Sequence, residues 1–268
     1  MLATPAPRVR WAVRDGLLIA RRDLTQWFRE PQMVLWNLLF PVVSVLLFAF
    51  VFGSAMIAPE GGNYQDFLMP GFFAQTMAFG LSETIMAVQA DSAKGVTDRF
   101  RSMPIAPSAV VLGRCFANML YSVAGLAIVV LCGLAIGWRW HNGLDGALAA
   151  FALLLLLRLA MLWVGIVIGL KARHPEAVSG LIGLMYPVTM LTNAFADPAR
   201  MPGVVGALAE ANPLSWTITA IRGLFGNPVG APSGWLGDNA VLLATVWPLV
   251  LSAVFLPLAV RAFQGLSR

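Results

Sequence analysis

Long apolar stretches, each about the length of a membrane-spanning helix, recur along this chain of 268 residues. A helix of roughly 20 apolar residues crosses the hydrocarbon core of a bilayer. Inside a bilayer such a helix satisfies its own backbone hydrogen bonds, so a chain built of these stretches is confined to a helical bundle. The predicted spans lie at about 33–53, 67–90, 109–137, 144–170, 177–195 and 235–260.

The composition agrees with this class and leaves no room for a soluble catalytic domain of any size. The chain is 59% hydrophobic and 12% charged, with a mean hydropathy of +0.77. Soluble domains carry roughly 25% charged residues. The sequence therefore predicts an all-α membrane protein with six transmembrane helices. Cys115 and Cys132 lie too far apart on one predicted helix to bridge each other, so no disulfide framework is expected.

Lysine and arginine are distributed unequally between the two sides of the predicted membrane. Of the 18, Arg139, Arg200 and Arg222 fall on one side, Arg158 lies within the fourth span, and all the others fall on the opposite side. Since basic residues accumulate in cytoplasmic segments, we expect a multi-pass protein of the inner or plasma membrane with both termini in the cytoplasm. This topology explains the basic charge, so no nucleic-acid partner is expected. The aromatic and basic residues at 138–141 predict an interfacial belt.

The N-terminal segment, 1–31, combines a basic tail with an amphipathic pattern. From Trp11 to about Glu30, apolar residues recur at three- and four-residue steps, and the arginines fall mainly on the other face. Such a helix suits the headgroup layer of a membrane, and the alternative is a soluble helix packed on a partner. We expect it to precede a transmembrane domain at 32–261 and a short cytoplasmic tail at 262–268.

Two polar segments carry the main functional signal, and the first is 91–107, on the predicted cytoplasmic side. It is short and basic, with Pro104 and Pro107 as stops. A short helix here would be able to dock into a groove of a soluble partner. The alternative is a plain, positively charged cytoplasmic loop.

The second segment, 196–225, lies on the opposite side and is rich in Pro, Gly and Asn. Pro213 after Asn212 is a good helix start. Short apolar helices separated by these breaks predict a re-entrant hairpin that dips into the outer leaflet. The alternative is an ordinary amphipathic surface loop.

Short motifs inside both segments follow one family pattern. After the second span come an acidic residue, a glycine, an arginine-rich run ending in Met-Pro-Ile and a Gly-Arg pair, at Asp91, Gly95, 99–105 and 113–114. Before the last span come Met-Pro, Asn-Pro-Leu-Ser and Ala-Ile-Arg-Gly-Leu, at 201–202, 212–215 and 220–224. With these motifs, over about its whole length, the chain resembles the permease subunits of type-2 ATP-binding-cassette exporters, specifically the daunorubicin-resistance-type permeases.

The resemblance implies partner proteins and assigns ATP hydrolysis to one of them. Members of the family pair with a second permease, either another copy or a sister chain, and dock on a separate ATP-hydrolysing subunit that carries ATP and Mg. This chain is then expected to bind no cofactor, and membrane lipid is a further partner. The substrate class in the family is hydrophobic: anthracycline-like drugs, lipids or lipid-linked products, with a polysaccharide-lipid permease as a close alternative.

The resemblance also implies roles for both segments. Segment 91–107 would be the coupling helix that meets the ATPase, with docking residues Gly95, Arg99, Arg101 and Pro104. Segment 196–225 would be an extracellular hairpin that helps to close the outer gate. Its motif residues are Met201, Pro202, Asn212, Pro213 and Arg222.

Several catalytic and binding motifs are absent from the sequence. It has no G-x-x-x-x-G-K-[ST] phosphate loop, no H-E-x-x-H or C-x-x-C metal pattern and no G-x-S-x-G elbow. We therefore expect no catalytic residue and no metal site, with ATP hydrolysis on a separate subunit. A gradient-driven transporter or channel is an alternative, but it favours internal repeats with broken helices, and no convincing half-to-half similarity is present. An intramembrane enzyme would need convergent His, Asp or Ser, which are scarce.

Two charged residues, Glu83 and Arg158, fall inside predicted spans. A charge at mid-depth costs at least ~2.5 kcal/mol, so both are expected to face protein or a cavity. A direct pair between the second and fourth spans is one hypothesis, and a shallow Glu83 that shares interfacial water is the alternative.

Methionine and aromatic residues in the second and fifth spans form a candidate substrate surface, because such side chains repack around varied ligands. The alternative places them in the core or against lipid. The candidates are Met77, Phe79, Tyr186 and Met190.

Overall fold

The structure is a computed structural model that describes residues 31–53, 63–93, 107–172, 175–230 and 234–265, and within these ranges it contains helices and no strand. This confirms the all-α class for the described part. The helices are α1 (Pro31–Leu47, continued by a π-helical turn at Phe48–Phe52), α2 (Tyr64–Ala93), α3 (Pro107–Ile136), α4 (Gly143–Lys171), α5 (Pro175–Met190), α6 (Gly203–Ala211), α7 (Pro213–Phe225), α8 (Gly234–Asp238) and α9 (Ala240–Gly265).

Three helical stretches in the described part are long and apolar enough to cross a membrane. They are Cys115–Ile136 in α3, Gly143–Lys171 in α4 and Ala240–Ala262 in α9. Two shorter apolar helical stretches, Leu39–Val51 and Val178–Met190, coincide with two more of the predicted spans. The structure thus supports a membrane protein with several spanning helices, while a crossing by all six predicted spans stays a prediction.

Helix α2 is 30 residues long but less apolar than its neighbours, and it lies at the centre of the bundle. Most of its residues are buried, including the polar Gln75, Ser82 and Thr84. Because neighbouring helices enclose α2, its surface does not have to match lipid. Its low hydropathy is therefore explained by burial against protein.

Glycines allow α2 and α4 to pack closely, and this is the most extensive helix pair in the bundle. A Cβ at Gly165 would lie 2.8 Å from Cβ of Thr84, and one at Gly169 would lie 2.8 Å from Cβ of Val88. Small residues at such contacts let helix backbones approach each other in a membrane. The α2–α4 pair is therefore the centre on which the other helices pack.

Two helix boundaries differ from the predicted spans. The fifth span was expected to reach residue 195, but α5 ends at Met190. The side-chain amide of Asn212 donates to the carbonyl oxygens of Val188 and Leu191, at 2.8 and 2.9 Å, so these last carbonyls are satisfied without further helix. The sixth predicted span is divided into α8 and α9 at Asn239.

Trp138 is fully buried, which corrects its assignment to an interfacial belt. Its ring packs edge-on against Phe73 and Phe225, with centroids 4.9 and 5.1 Å apart. Its indole N–H donates to Oδ1 of Asn227 at 3.0 Å. Since a partner inside the protein satisfies its one polar group, the indole does not need the membrane interface. We call the end of the bundle that carries this cluster and helices α6 and α7 the hairpin end.

Candidate functional site

A cavity of about 210 Å³ lies between α1, α2, α3 and α5. Part of its lining is polar and carries hydroxyl groups and one carboxylate. The polar lining residues are Thr76, Ser82, Glu83, Tyr121 and Ser122. Aromatic rings and methionines form much of the rest, and these are Phe40, Met77, Phe79, Met86 and Tyr186.

Three of the four candidate substrate-facing residues line this cavity. They are Met77, Phe79 and Tyr186, from α2 and α5. Met190 lies at the last position of α5 with 44% of its surface exposed, and it is not part of the lining. The structure thus brings three of the four together, and their contact with a substrate stays a prediction.

The aromatic side of the cavity is a continuous wall. The rings of Phe79 and Tyr186 lie 4.9 Å apart in a tilted arrangement. The Tyr186 ring also meets Phe40 edge-on, with centroids 6.2 Å apart. These contacts connect α2, α5 and α1, so aromatic rings from three helices meet in the lining of the cavity.

Arg158 of α4 is fully buried and contacts Ser122, one of the polar residues that line the cavity. Its Nε donates to the hydroxyl of Ser122, and both terminal nitrogens lie 3.3 Å from the hydroxyl oxygen of Thr84. Gly80 makes room for this side chain, since a Cβ there would collide with the guanidinium. Arg158 therefore links α4 to α2 and α3.

Glu83 is attracted electrostatically by Arg158 across the α2–α4 contact. Within the part of the chain that the structure describes, however, the two side chains form no ion pair within 4 Å, and the hydrogen bonds of Arg158 go to hydroxyls. The direct pair is thus replaced by a longer-range attraction. Sequence reasoning missed Ser122 and Thr84, although hydroxyl groups within apolar helices near a buried charge are the signal that could have identified them.

At the hairpin end, Arg222 of α7 is fully buried and joins three segments. Its Nε donates to the carbonyl oxygen of Phe67 at 2.9 Å, and one terminal nitrogen donates to that of Ala194 at 3.0 Å. Burial lowers the pKa of Arg222, whereas Asp197 and Tyr64 act in the opposite direction. The side chain fixes α7 to α2 and to the connection after α5.

The other residues of the predicted hairpin define its two helices. Pro202 is the N-cap of α6, and Met201 before it closes the short 3-10 turn Pro198–Arg200. The side-chain oxygen of Asn212 accepts from the backbone N–H of Leu214, and Pro213 starts α7. Segment 196–225 is therefore largely helical, and its entry into the membrane stays a prediction.

Several predicted features lie outside the described residues. These are the amphipathic N-terminal helix before Pro31 and the coupling residues Gly95, Arg99, Arg101 and Pro104. Among the residues that the structure does describe, no group of three or more His, Cys, Asp or Glu side chains could hold a metal ion.

The fold is that of a helical membrane protein with a cavity between its helices. Residues 16–225 match the ABC-2 type transporter family. The chain is 32% identical to the daunorubicin resistance ABC transporter permease protein DrrB1 of Streptomyces coeruleorubidus, over 95% of this chain and 87% of that protein. It therefore belongs to the ABC-2 type transporter family, as its two motifs predicted.

More distant relatives carry similar descriptions. The doxorubicin resistance ABC transporter permease protein DrrB of Mycobacterium tuberculosis is 27% identical over 71% of this chain and 70% of its own length. The probable doxorubicin resistance ABC transporter permease protein DrrC of the same species is 20% identical over 83% of this chain and 81% of its own length. These relatives are permease proteins, which agrees with a multi-pass membrane protein.

Proposed function

We propose that this chain is the transmembrane permease subunit of an ATP-driven exporter of hydrophobic drugs, lipids or lipid-linked metabolites. A separate ATP-binding-cassette subunit supplies ATP hydrolysis, and the chain pairs with a second copy or a sister permease. The observation that carries the proposal is the cavity of about 210 Å³ inside the bundle of a chain that belongs to the ABC-2 type transporter family. The drug-resistance permeases among its relatives support the substrate class.

The size and lining of the cavity favour a compact hydrophobic molecule over a polysaccharide chain. Binding pockets for drug-sized ligands measure about 300–1,000 Å³. A cavity of about 210 Å³ takes one end of such a ligand. The remainder would lie along the exposed Phe40 and Tyr186, toward the surrounding lipid.

The connection of segment 91–107 to the bundle supports its role in coupling. Helix α2 ends at Ala93 and α3 begins at Pro107, so the segment is bounded by two of the helices that line the cavity. A push by the ATPase on Gly95, Arg99, Arg101 and Pro104 would therefore act on α2 and α3. Such a push biases the bundle between two packings only if the ATPase contacts it differently in each.

The proposed orientation places the hairpin end outside the cell. It includes six spans, both termini in the cytoplasm, the N-terminal helix at the inner membrane surface and the hairpin 196–225 at the outer gate. Supporting this, α2 ends at Ala93, α3 begins at Pro107 and α4 ends at Lys171, all at the end of the bundle opposite the hairpin, and the sequence that follows Ala93 and Lys171 is basic.

The test of the function is reconstitution with an ATP-binding-cassette subunit encoded beside this chain. We expect the purified chain alone to hydrolyse no ATP, and the complex in vesicles to hydrolyse ATP and export doxorubicin. The control is the same complex with a catalytically inactive ATPase subunit. ATP hydrolysis by the chain alone, or doxorubicin movement driven by an ion gradient without the partner, would contradict the proposal.

The test of the orientation is a single cysteine placed at Ser102. Cys115 and Cys132 are free thiols in the structure, so both are first replaced by alanine. A membrane-impermeant maleimide should label Ser102→Cys only after the cytoplasmic face is opened. Labelling of intact cells would show that residue 102 faces outward and would contradict the proposed orientation.

A further inference from the structure

We propose that a small pocket at the hairpin end binds one divalent cation of the calcium type, through oxygen ligands from five side chains. These are Asn193, Asp197, Glu210, Ser215 and Thr219. The pocket shares no lining residue with the cavity between α1, α2, α3 and α5. The inference therefore concerns a second site and goes beyond the proposed function.

The pocket lies where the connection after α5, the hairpin helices α6 and α7, and helix α8 meet, and its volume is about 30 Å³. Five of its ten described lining residues carry side-chain oxygens, and none of these ten is Lys, Arg or His. A space of roughly 10–15 Å³ is enough for one water molecule. The pocket therefore admits a single small ion and excludes a larger molecule.

A buried oxygen of Asn193 lacks a partner. Asn193 is 6% exposed, and its Oδ1 accepts no hydrogen bond from any residue that the structure describes. The amide orientation is set by its nitrogen, which donates to the hydroxyl of Thr219 at 2.8 Å and to the carbonyl oxygen of Ser215 at 3.4 Å. Buried polar groups in proteins are normally satisfied. Since all three residues line the pocket, a cation inside it would satisfy Oδ1 of Asn193.

Two carboxylates in the lining supply negative charge. Asp197 is 9% exposed and lies on the connection after α5, whereas Glu210 is half-buried near the end of α6. Oδ1 of Asp197 accepts from the backbone N–H of Ala199 at 3.1 Å. An ionised carboxylate has about four lone-pair sites, so this cap leaves Asp197 able to bind a metal ion as well.

The hydroxyls of Ser215 and Thr219 add ligands from α7. Each accepts one hydrogen bond from Asn193, at 3.1 and 2.8 Å, and each hydroxyl oxygen has a second lone pair. Calcium takes about six to eight oxygen ligands, among them carboxylates, amide carbonyls and waters. Because only two of the five side chains are acidic, the neutral oxygens are essential to the site, and no sequence motif marks them.

Arg222 is the buried positive charge that acts on this site. It attracts Asp197, but it does not line the pocket, and its hydrogen bonds go to the carbonyl oxygens of Phe67 and Ala194. Two carboxylates and one guanidinium together leave one negative charge. Arg200 is exposed to solvent, where salt screens its charge. A dication is therefore attracted to the pocket with Arg222 in place.

A cation at this position would join three segments: the connection after α5, the end of α6 and the start of α7. It would therefore stabilise the hairpin against the rest of the bundle. Calcium sites in extracellular modules have dissociation constants of about 10⁻⁴–10⁻³ M. We expect this range here, because the pocket faces outside in the proposed orientation, although binding itself does not depend on that orientation.

The experiment measures thermal unfolding of the purified full chain in phosphatidylcholine nanodiscs. The conditions are EDTA, millimolar calcium chloride, and sodium chloride at the same ionic strength as the calcium sample. Glu210→Gln and Asp197→Asn each remove one charge at nearly constant shape, and an asparagine can still cap the 3-10 turn. Asp145→Asn is the matched control, because Asp145 is an exposed carboxylate at the hairpin end of α4, outside the pocket.

We expect calcium to raise the melting temperature of the wild type and of Asp145→Asn by about 2 °C or more relative to EDTA. Glu210→Gln and Asp197→Asn should unfold cooperatively in EDTA but lose most of the calcium shift. If one of these two variants does not fold, the other one and the comparison of calcium with sodium in the wild type still decide the matter.

Trp216 provides an independent spectroscopic readout, because its indole lines the pocket. Tb³⁺ replaces Ca²⁺ in oxygen-ligand sites and emits light when a nearby excited indole transfers energy to it. We expect emission from the wild type that calcium displaces. Trp216→Phe should lose most of this emission and keep the calcium shift in melting temperature, which a merely structural role of the pocket does not predict.

Three results would overturn the cation site: no shift with calcium, an equal shift with sodium, or the same calcium shift in the wild type and in both charge-neutral variants. The first result would show that the pocket holds water only. None of them would affect the proposed function, which is tested by ATP hydrolysis and export in the reconstituted complex.

Discussion

The guanidinium of Arg222 lies 3.6 Å from the centre of the Phe67 ring, and its Nε also donates to the Phe67 carbonyl oxygen. One side chain therefore contacts both the ring and the backbone of the same residue. A second nitrogen donates to the carbonyl oxygen of Ala194. The Arg222 side chain therefore joins α7 to the start of α2 and to the connection after α5. The planar fork of arginine makes this possible, because its nitrogens are fixed relative to one another.

Arg222→Lys should destabilise the hairpin end, because a lysine ammonium cannot donate to two separated carbonyls and lie flat on a ring. Loss of one charge-assisted hydrogen bond predicts a decrease of about 2 kcal/mol in the free energy of unfolding. The measurement is thermal unfolding of the purified chain in detergent. Arg200→Lys is the control, since Arg200 is exposed. An equal effect of the two substitutions would show that the buried contacts of Arg222 add no stability.

Gly71→Ala should destabilise the protein by steric conflict at the same place. A Cβ at Gly71 would lie 2.8 Å from Cβ and 2.9 Å from Cα of Ala194, and the latter is backbone that cannot move aside. Overpacking of this kind typically costs about 1–3 kcal/mol. The readout is the melting temperature and the amount of folded protein after size-exclusion chromatography.

Gly183→Ala is the matched control for Gly71→Ala, because a Cβ at this helical glycine would meet no atom within 4 Å. Replacing a helical glycine by alanine should keep or raise stability, by up to about 1 kcal/mol. The interpretation fails if Gly71→Ala is as stable as the wild type.

The hydroxyl of Ser122 should be coupled energetically to Arg158. In a double-mutant cycle of Arg158→Gln and Ser122→Ala, we expect an interaction free energy of about 0.5–2 kcal/mol, because the two side chains share a hydrogen bond. The matched cycle uses Ser82→Ala, whose hydroxyl has no partner within the described part of the chain. Thermal unfolding of all the variants gives the interaction free energy of Arg158 with each serine. Equal values for Ser122 and Ser82 would refute the hydrogen bond between Arg158 and Ser122.

Asn212→Asp should separate the hydrogen bond that the Asn212 side chain accepts from the two that it donates. The aspartate keeps the oxygen that accepts from Leu214 N–H, but it cannot donate to the carbonyls of Val188 and Leu191. A carboxylate placed against two carbonyl oxygens also repels them. We expect Asn212→Asp to be at least as destabilising as Asn212→Ala, by about 1–3 kcal/mol. Nearly wild-type melting of Asn212→Asp would show that only the cap matters.

The resemblance to a transporter family was readable from the sequence because its motifs are local. The runs at 99–105 and 212–215 identify the family without any knowledge of packing, and the family match over 16–225 agrees. The helical class was predictable too, since apolar length acts within one segment, and three long apolar helices are present in the described part of the chain. The end of α5 was predicted too late, because Asn212, 22 residues beyond Met190, satisfies its last carbonyls.

The cavity was only partly predictable. Met77, Phe79 and Tyr186 were candidates by residue type, and all three line the cavity. The sequence alone does not distinguish them from Met190, which lies at the end of its helix and outside the lining. The partners of Arg158 come from α2 and α3, so only packing reveals them.

The sequence alone determined a helical membrane protein, because apolar length imposes spanning helices whatever those helices contact. It also determined the transporter family, because the family motifs are local. Tertiary structure alone decided which polar groups meet, placing the hydroxyls of Ser122 and Thr84 on Arg158 and Glu83 in the lining of the cavity. The physical reason is that a buried charge takes the donors and acceptors that close helix packing brings within reach. Glycines at 80, 165 and 169 allow that packing here.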